Sequence, residues 1–192
     1  MLMRPWLIFI LLALIGLYLW PAHAPQLVVR SQGEAQIGGD FTLTDTHGKT
    51  VSDKDFHGRP LLVYMGYSHC PDICPMTLGV MSETLKALGP DADKVTMIFI
   101  SLDPERDTPQ ALGDYLKAFD GRITGLTGSA EQVEHAASVY RVVHEKSAEN
   151  AGNYQIDHSG FLYLMDRQGK YAAHFDTNVK VPELTQKIRE QF

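Results

Sequence analysis

Two short apolar stretches constrain the fold of this chain more than any other feature of the sequence. Residues 61–65 are apolar at every position, and residues 95–100 are apolar at all but one. Runs of this length and composition are typical of central strands that are buried on both faces of a sheet. Helical patterns separate them from each other and from a shorter strand candidate at 123–126. Strands that alternate with helices predict an α/β fold with a parallel central sheet.

The helices of this alternation have recognisable first residues. Pro75 opens the first pattern, Thr108 is an N-cap followed by proline, and Ser129 caps the third helix. Residues 161–165 and 171–175 predict an antiparallel hairpin at the edge of the sheet, and a last helix follows. The order of elements is compatible with a thioredoxin-like layered sandwich. Periodicity alone does not separate that fold from other α/β folds.

Residues 1–24 have the composition of a membrane-spanning helix. The segment 6–20 carries no charge, and 5–24 would form a helix of roughly 30 Å, about one hydrocarbon thickness. Arg4 precedes the run, so the positive-inside bias keeps the N-terminus in the cytoplasm and sends the remainder across the membrane. We therefore expect a single-pass anchor.

A cleaved signal peptide is the alternative interpretation of the same segment. Residues 22–24 read Ala-His-Ala and offer a small-x-small cleavage site, although Pro25 directly after it should hinder cleavage. Both interpretations put the body of the protein outside the cytoplasm. We expect an anchor over 1–24, a linker over 25–40 and one folded domain over 41–192.

Charge and cysteine usage exclude two classes of protein. A nucleic-acid-binding domain normally carries a basic surface, whereas this chain has a formal net charge of −6. It contains only two cysteines, Cys70 and Cys74, so it is not a disulfide-stapled mini-domain. Two cysteines four positions apart cannot cross-link distant parts of a chain. They are expected to form a local chemical site.

Cys70 and Cys74 lie between a buried strand and a helix, where α/β folds usually bind ligands. Side chains at i and i+4 of a helical turn face the same way, so the pair permits either a disulfide or a two-sulfur site for a soft metal. Three residues separate the cysteines, and the usual dithiol redox motif has two. The alternative is that both cysteines are buried and only pack as small apolar residues, with no chemical role.

His158 is a third candidate, because it lies just before the apolar strand 161–165. A loop histidine next to the end of a strand can be a metal ligand, a hydrogen-bonded structural residue or a solvated side chain. Asp72 lies between the cysteines, and Asp103 follows the neighbouring strand. Either carboxylate could orient His158 or dock a partner. Hydrogen bonding within their own loops is the alternative.

Three segments resemble the Sco/SenC family: Cys70-Pro71-Asp72-Ile73-Cys74-Pro75, the stretch 101–109, and Asp157-His158-Ser159. The resemblance implies a thioredoxin-like fold with an inserted hairpin, preceded by one transmembrane helix. It implies that Cys70, Cys74 and His158 bind copper. It also implies a role in delivering copper to a respiratory terminal oxidase, or in preparing the copper site of that oxidase. In a bacterium the domain would face the periplasm from the inner membrane.

The donor chemistry agrees with that expectation. Two thiolates suit Cu(I), and an added imidazole accommodates Cu(II), whereas a structural zinc site would need a fourth protein ligand. We expect a binding module rather than an enzyme, whose partners are the copper-site subunit of the oxidase, a copper donor protein and a thioredoxin-like reductant. One alternative is a thiol–disulfide oxidoreductase that acts on the oxidase cysteines. A second is a peroxidase, but a peroxidase would have no evident use for His158.

Overall fold

The structure is a computed structural model, and it describes residues 36–147 and 154–192. The predicted anchor over 1–24 and most of the predicted linker over 25–40 lie outside the described residues. Among the helices in the described ranges, none is both long enough and apolar enough to cross a membrane.

The domain is built on a seven-stranded sheet, whose strands are β1 Thr42–Asp45, β2 Thr50–Ser52, β3 Leu61–Gly66, β4 Thr96–Ser101, β5 Ile123–Thr127, β8 Phe161–Met165 and β9 Tyr171–Asp176. Their order in the sheet is β2-β1-β5-β4-β3-β8-β9. Strands β3, β4 and β5 are parallel, as the alternation with helices predicted. The predicted hairpin is β8–β9, and β8 joins the sheet antiparallel to β3.

Local signals set the helix ends. The Thr108 side chain accepts a hydrogen bond from the Ala111 N–H at 3.2 Å, and Ser129 forms a reciprocal capping box with Gln132, so both predicted caps are confirmed. The first helix begins at Ile73, two residues earlier than predicted, because proline is tolerated within the first turn. The helices are α1 Ile73–Leu88, α2 Pro109–Leu116, α3 Ala130–Val139 and α4 Val181–Arg189.

The sheet separates two apolar cores. One core contains Leu78 of α1, Leu112 of α2 and Leu184 of α4. The other contains Val133 of α3 against the opposite face of the sheet. Because β3 is buried at every position, it contributes side chains to both cores. The result is the mixed α/β, thioredoxin-like sandwich that the sequence predicted.

A small second sheet lies outside this sandwich. Strands β6, His144–Lys146, and β7, Ile156–His158, pair with each other in an antiparallel ladder that places His144 opposite His158. The hydropathy pattern did not predict these strands, because each has three residues and β6 is wholly polar. His158 therefore ends a strand and is not the loop residue that the sequence suggested.

Candidate metal centre

The cysteine segment begins where β3 ends at Gly66. A Cβ atom at position 66 would lie 2.6 Å from Cys74 Sγ and 3.1 Å from the Phe99 ring. No side chain fits into that space, so glycine is required for the sulfur to approach the backbone this closely. The last residue of the strand thus makes room for a buried thiol.

Cys70 precedes helix α1, and Cys74 lies in its first turn. The expectation that both belong to one helical turn was therefore wrong in detail. The side chain of the N-cap residue, Asp72, makes no capping hydrogen bond, and the Cys70 sulfur instead accepts the N–H of Cys74 at 3.4 Å. A half-buried sulfur at this position satisfies one of the free N–H groups of the helix.

Cys74 is fully buried and has a polar partner on either side. The Tyr64 hydroxyl donates to its sulfur at 3.5 Å, and His158 Nε2 lies 3.8 Å from the same sulfur. Burial raises the pKa of the Cys74 thiol to about 12, which outweighs the opposite effect of the hydrogen bond from Tyr64. At neutral pH this thiol is protonated, and it must lose its proton to become a metal ligand.

His158 presents its Nε2 atom to the cysteine. Its Nδ1 atom lies 3.2 Å from the Ser159 carbonyl oxygen, so Nδ1 carries the proton and Nε2 has the free lone pair. Burial lowers the pKa of His158, with a further contribution from His144 across the strand pair, and this outweighs the hydrogen bond to Ser159, which raises it. Tyr67 packs edge-on against the imidazole at 6.2 Å between ring centroids. A neutral imidazole in this tautomer is ready to bind a metal.

Two of the three predicted ligands, Cys70 and His158, line one open cleft of about 390 Å³, and Cys74 is buried behind them. Cys74 and His158 are in contact, and Cys70 contacts the backbone of Cys74. In the described ranges, no group of three or more His, Cys, Asp or Glu side chains is already arranged to hold a metal ion. The donors are thus collected in one place without forming a closed coordination shell.

Neither of the two predicted supporting carboxylates contacts His158. Asp72 is exposed at the lip of the cleft. Asp103 is fully buried, but its carboxylate accepts hydrogen bonds from Tyr154 and Arg106. The residue that fixes the imidazole tautomer is Ser159, through its backbone carbonyl.

Sequence reasoning missed Tyr64, which supplies the hydrogen bond to Cys74. Its only signal was a phenol in the middle of an otherwise apolar strand. A buried hydroxyl needs a partner, and the alternation of faces does not tell which partner it finds.

The donor set fits copper. Two sulfurs and one imidazole form a soft, nitrogen-containing site for which Cu(I) and Cu(II) are suited, and hard cations such as Mg²⁺ or Ca²⁺ prefer oxygen donors. Three protein donors are fewer than the four of a structural zinc site. The residues present therefore match the metal that the family resemblance implies.

Comparison with known proteins points to the same family as the sequence motifs. A family model described as SCO1/SenC matches residues 29–192. Protein sco1 of Schizosaccharomyces pombe is 38% identical over 186 residues, which cover 91% of this chain and 71% of that protein. An SCO2-like protein of Rickettsia conorii is 36% identical over 162 residues, covering 83% and 79% of the two chains. The structure of Bradyrhizobium japonicum ScoI with copper bound superimposes with a TM-score of 0.77 at 44% identity, covering 81% of this chain and 99% of that one.

Proposed function

The chain belongs to the SCO1/SenC family, and from that premise we propose that it is a copper-binding metallochaperone for a respiratory cytochrome oxidase. It delivers copper to the oxidase or prepares the copper site of the oxidase. Copper is its cargo, bound by Cys70, Cys74 and His158. The copper-bound relative from Bradyrhizobium japonicum supports the choice of metal.

One observation carries the proposal. Cys74 Sγ and His158 Nε2 lie 3.8 Å apart although 84 positions separate the two residues in the chain. The imidazole has its free lone pair on the atom that faces the sulfur, and Cys70 is on the same cleft. Buried apolar cysteines do not require a correctly oriented histidine beside them.

The residues can hold either oxidation state of copper by different means. Cu(I) is satisfied by the two sulfurs, which lie on either side of the start of α1. Cu(II) prefers more donors and nitrogen among them, which His158 supplies. A cleft that is open on one side lets a partner approach the bound metal, which a carrier requires.

A thiol–disulfide oxidoreductase is the second candidate, and the unequal exposure of the two free thiols favours it. In that reaction the Cys70 sulfur attacks a disulfide of the oxidase, forms a mixed disulfide with one oxidase cysteine and releases the other as a thiol. Cys74 then attacks the Cys70 sulfur, which forms the Cys70–Cys74 disulfide and releases the second oxidase cysteine as a thiol. Two electrons pass to the oxidase, and a thioredoxin-like reductant would restore the Cys70–Cys74 dithiol.

We extend the proposal to the location of the protein. Residues 1–24 act as a single-pass anchor and 25–40 as a linker, so the domain over 41–192 faces the periplasm from the inner membrane. The uncharged run and the preceding Arg4 support this arrangement. A copper donor protein would then meet the cleft in the same compartment.

The function is tested by the copper content of the full chain and of Cys70→Ser, Cys74→Ser and His158→Ala. We expect one copper per chain, and loss of tight binding of both oxidation states without either cysteine. His158→Ala should keep most Cu(I) binding and lose most Cu(II) binding. Equal Cu(II) affinity and an unchanged spectrum in His158→Ala would exclude His158 as a ligand.

The same variants separate the two candidate functions. A metallochaperone without His158 fails to support oxidase activity, most clearly when copper is scarce. A dithiol reductase without His158 retains both sulfurs and continues to reduce a disulfide substrate. Oxidase activity that survives His158→Ala but not the cysteine variants would favour the reductase.

A further inference from the structure

Two buried carboxylates lie beside the metal centre without touching any of its three proposed ligands. Asp103 and Asp107 follow strand β4, and both are fully buried. A buried carboxylate is costly unless several donors compensate for its lost hydration. The donors that these two residues collect come from two distant parts of the chain.

Asp107 is hydrogen-bonded to the segment that leads from β3 to Cys70. Its carboxylate accepts the backbone N–H of Ser68 at 3.0 Å and also the Ser68 hydroxyl. It accepts the hydroxyl of Ser101 at 2.5 Å. Ser68 lies two residues before Cys70, so this carboxylate fixes the path by which the chain leaves β3 and reaches the first cysteine.

Asp103 is hydrogen-bonded to the segment that precedes β7 and His158. Its carboxylate accepts the Tyr154 hydroxyl at 2.6 Å and pairs with Arg106. The Arg106 guanidinium in turn donates to the Tyr154 carbonyl at 3.0 Å and lies 3.7 Å from the centre of the Tyr154 ring. Tyr154 is thus held at its hydroxyl, its carbonyl and its ring, two residues before the strand that ends at His158.

The two carboxylates are joined within one loop. The Ser101 hydroxyl donates to Asp107 and accepts the N–H of Asp103 at 3.0 Å. The N–H of Asp107 donates to the Asp103 carbonyl at 2.8 Å. The two carboxylates therefore belong to one hydrogen-bonded loop.

The strand that carries His158 is not part of the seven-stranded sheet. In the described part of the chain β7 pairs with β6 alone and has no ladder with the seven-stranded sheet. Ile156 anchors one side of β7 in the core. The hydrogen bonds of Tyr154 with Asp103 and Arg106 attach the segment just before β7.

On the basis of the proposed function, we propose that Asp103, Arg106 and Tyr154 are positioning residues that set the distance between His158 and the cysteines. Through that distance they determine the affinity for Cu(II) relative to Cu(I). Cu(I) can bind to the two sulfurs beside α1, whereas Cu(II) needs the imidazole on β7. A shift of β7 therefore weakens one oxidation state selectively.

A merely structural role for this loop predicts a different result. If the contacts only stabilise the fold, their loss lowers the unfolding midpoint of the metal-free protein and leaves the ratio of Cu(II) to Cu(I) affinity unchanged. The ratio is therefore the quantity that tests positioning.

The test is Tyr154→Phe in the full chain, because phenylalanine keeps the ring on Arg106 and removes only the hydroxyl bound to Asp103. We expect Cu(II) affinity to fall about ten- to a hundred-fold, the range found when partners of metal ligands are altered. The Cu(II)–thiolate absorption should change, and Cu(I) affinity should stay at the wild-type value. An unchanged ratio of the two affinities would overturn the proposal.

Two further variants keep the test interpretable. Arg106→Lys keeps the positive charge beside Asp103 but cannot bond the Tyr154 carbonyl in the same fork, so it should reproduce the selective loss of Cu(II). Glu105→Gln removes the exposed 2.7 Å ion pair with Lys146 of β6 and retains an acceptor for Tyr154, so it should leave both affinities unchanged. A selective Cu(II) loss in Glu105→Gln, or none in Arg106→Lys, would contradict positioning by this loop.

His158→Ala is the reference for the whole series. If His158→Ala itself leaves Cu(II) binding unchanged, the proposed ligand set has failed. If His158→Ala loses Cu(II) while Tyr154→Phe and Arg106→Lys match the wild type, the ligand set stands and the positioning proposal alone is wrong.

Discussion

At the scale of single residues, the environment of Cys74 explains why its thiol is protonated until a metal binds. The sulfur is fully buried, receives one hydrogen bond from Tyr64 and contacts the imidazole of His158. Burial favours the protonated thiol, and the two polar neighbours are placed to compensate a thiolate once a metal has displaced the proton. Without metal the thiol therefore stays protonated, and with metal bound its thiolate has two polar neighbours to stabilise it.

Replacing Tyr64 by phenylalanine should alter the electronic properties of bound copper. A hydrogen bond to a thiolate stabilises its electrons and favours the reduced metal. In Tyr64→Phe we expect the Cu(II)–thiolate absorption to move to lower energy. We expect the reduction potential to fall by roughly 40 mV if the hydrogen bond differs by about 1 kcal/mol between the two states.

Tyr115→Phe is the matched control for this experiment. Tyr115 packs near the same core, with its ring 6.3 Å from that of Phe99, and its buried hydroxyl has no hydrogen-bond partner in the described residues. Its removal should change neither the spectrum nor the potential. Identical spectra for Tyr64→Phe and the wild type would show that the Tyr64 hydroxyl does not act on the copper–sulfur bond.

Copper loading should depend on pH in a defined direction. The pKa of the Cys74 thiol is about 12, so the thiol is protonated at neutral pH and Cu(I) must displace its proton. Between about pH 6 and about pH 8, the apparent Cu(I) affinity should rise roughly tenfold per pH unit for each proton released. Competition with a Cu(I) chelator across this range measures the slope, and an affinity independent of pH would contradict a protonated Cys74.

At the scale of elements, the centre is made by the end of β3, the start of α1 and the end of β7. Gly66 lets β3 finish against the Cys74 sulfur. The N-terminus of α1 positions Cys70, whose sulfur accepts a helix N–H. The small β6–β7 sheet brings His158 to the same place. Each ligand thus comes from a different structural context.

Gly66→Ala should destabilise the domain and disturb the metal centre together. The added Cβ would lie 2.6 Å from Cys74 Sγ, so the sulfur or the strand must move. Overpacking of this kind costs about 1–3 kcal/mol of unfolding free energy, and we also expect weakened copper binding. Urea unfolding of the metal-free protein measures the first effect, and copper titration measures the second.

Gly79→Ala provides the corresponding control in helix α1. A Cβ at position 79 meets nothing within 4 Å. Because alanine favours the helix over glycine, this variant should gain about 1 kcal/mol and bind copper normally. A Gly66→Ala protein as stable as the wild type would mean that the close approach of Cys74 to the strand can relax without cost.

At the scale of the whole molecule, the sheet places the centre where the parallel strands β3 and β4 end. The cysteine segment follows β3 and the paired carboxylates follow β4, so the parallel pairing of these strands brings the two segments side by side. The β6–β7 sheet completes the arrangement from outside the sandwich. In the proposed function the domain meets its partners outside the cytoplasm, where residues 1–24 are expected to place it.

Full-length protein should fractionate with membranes and resist extraction by carbonate. The uncharged stretch 6–20 is the reason, since it is long enough to span most of the hydrocarbon core. The mature N-terminus should lie upstream of Ala24, as determined by mass spectrometry. A product that begins at Pro25 and is released without detergent would contradict the anchor and leave the export of the domain intact.

Much of the fold was predictable because its signals are local. The apolar run ending at Gly66 predicts a buried strand wherever it stands, and the caps Thr108 and Ser129 act within a single helical turn. Cys70 and Cys74 were predictable as a pair because four positions separate them. The sequence motifs also pointed to His158, through resemblance to a family rather than through any local force.

Tertiary structure alone decided the contacts between segments that are distant in the chain. The pairing of β7 with β6, and not the local sequence, turns His158 toward Cys74. The sequence left open whether Asp103 orients His158 or bonds within its own loop, and in the structure it binds Arg106 of its own loop and the distant Tyr154. Such contacts depend on strand register and on which buried donor finds which acceptor, and these are properties of the packed molecule because a buried polar group takes the partner that the surrounding core leaves within reach.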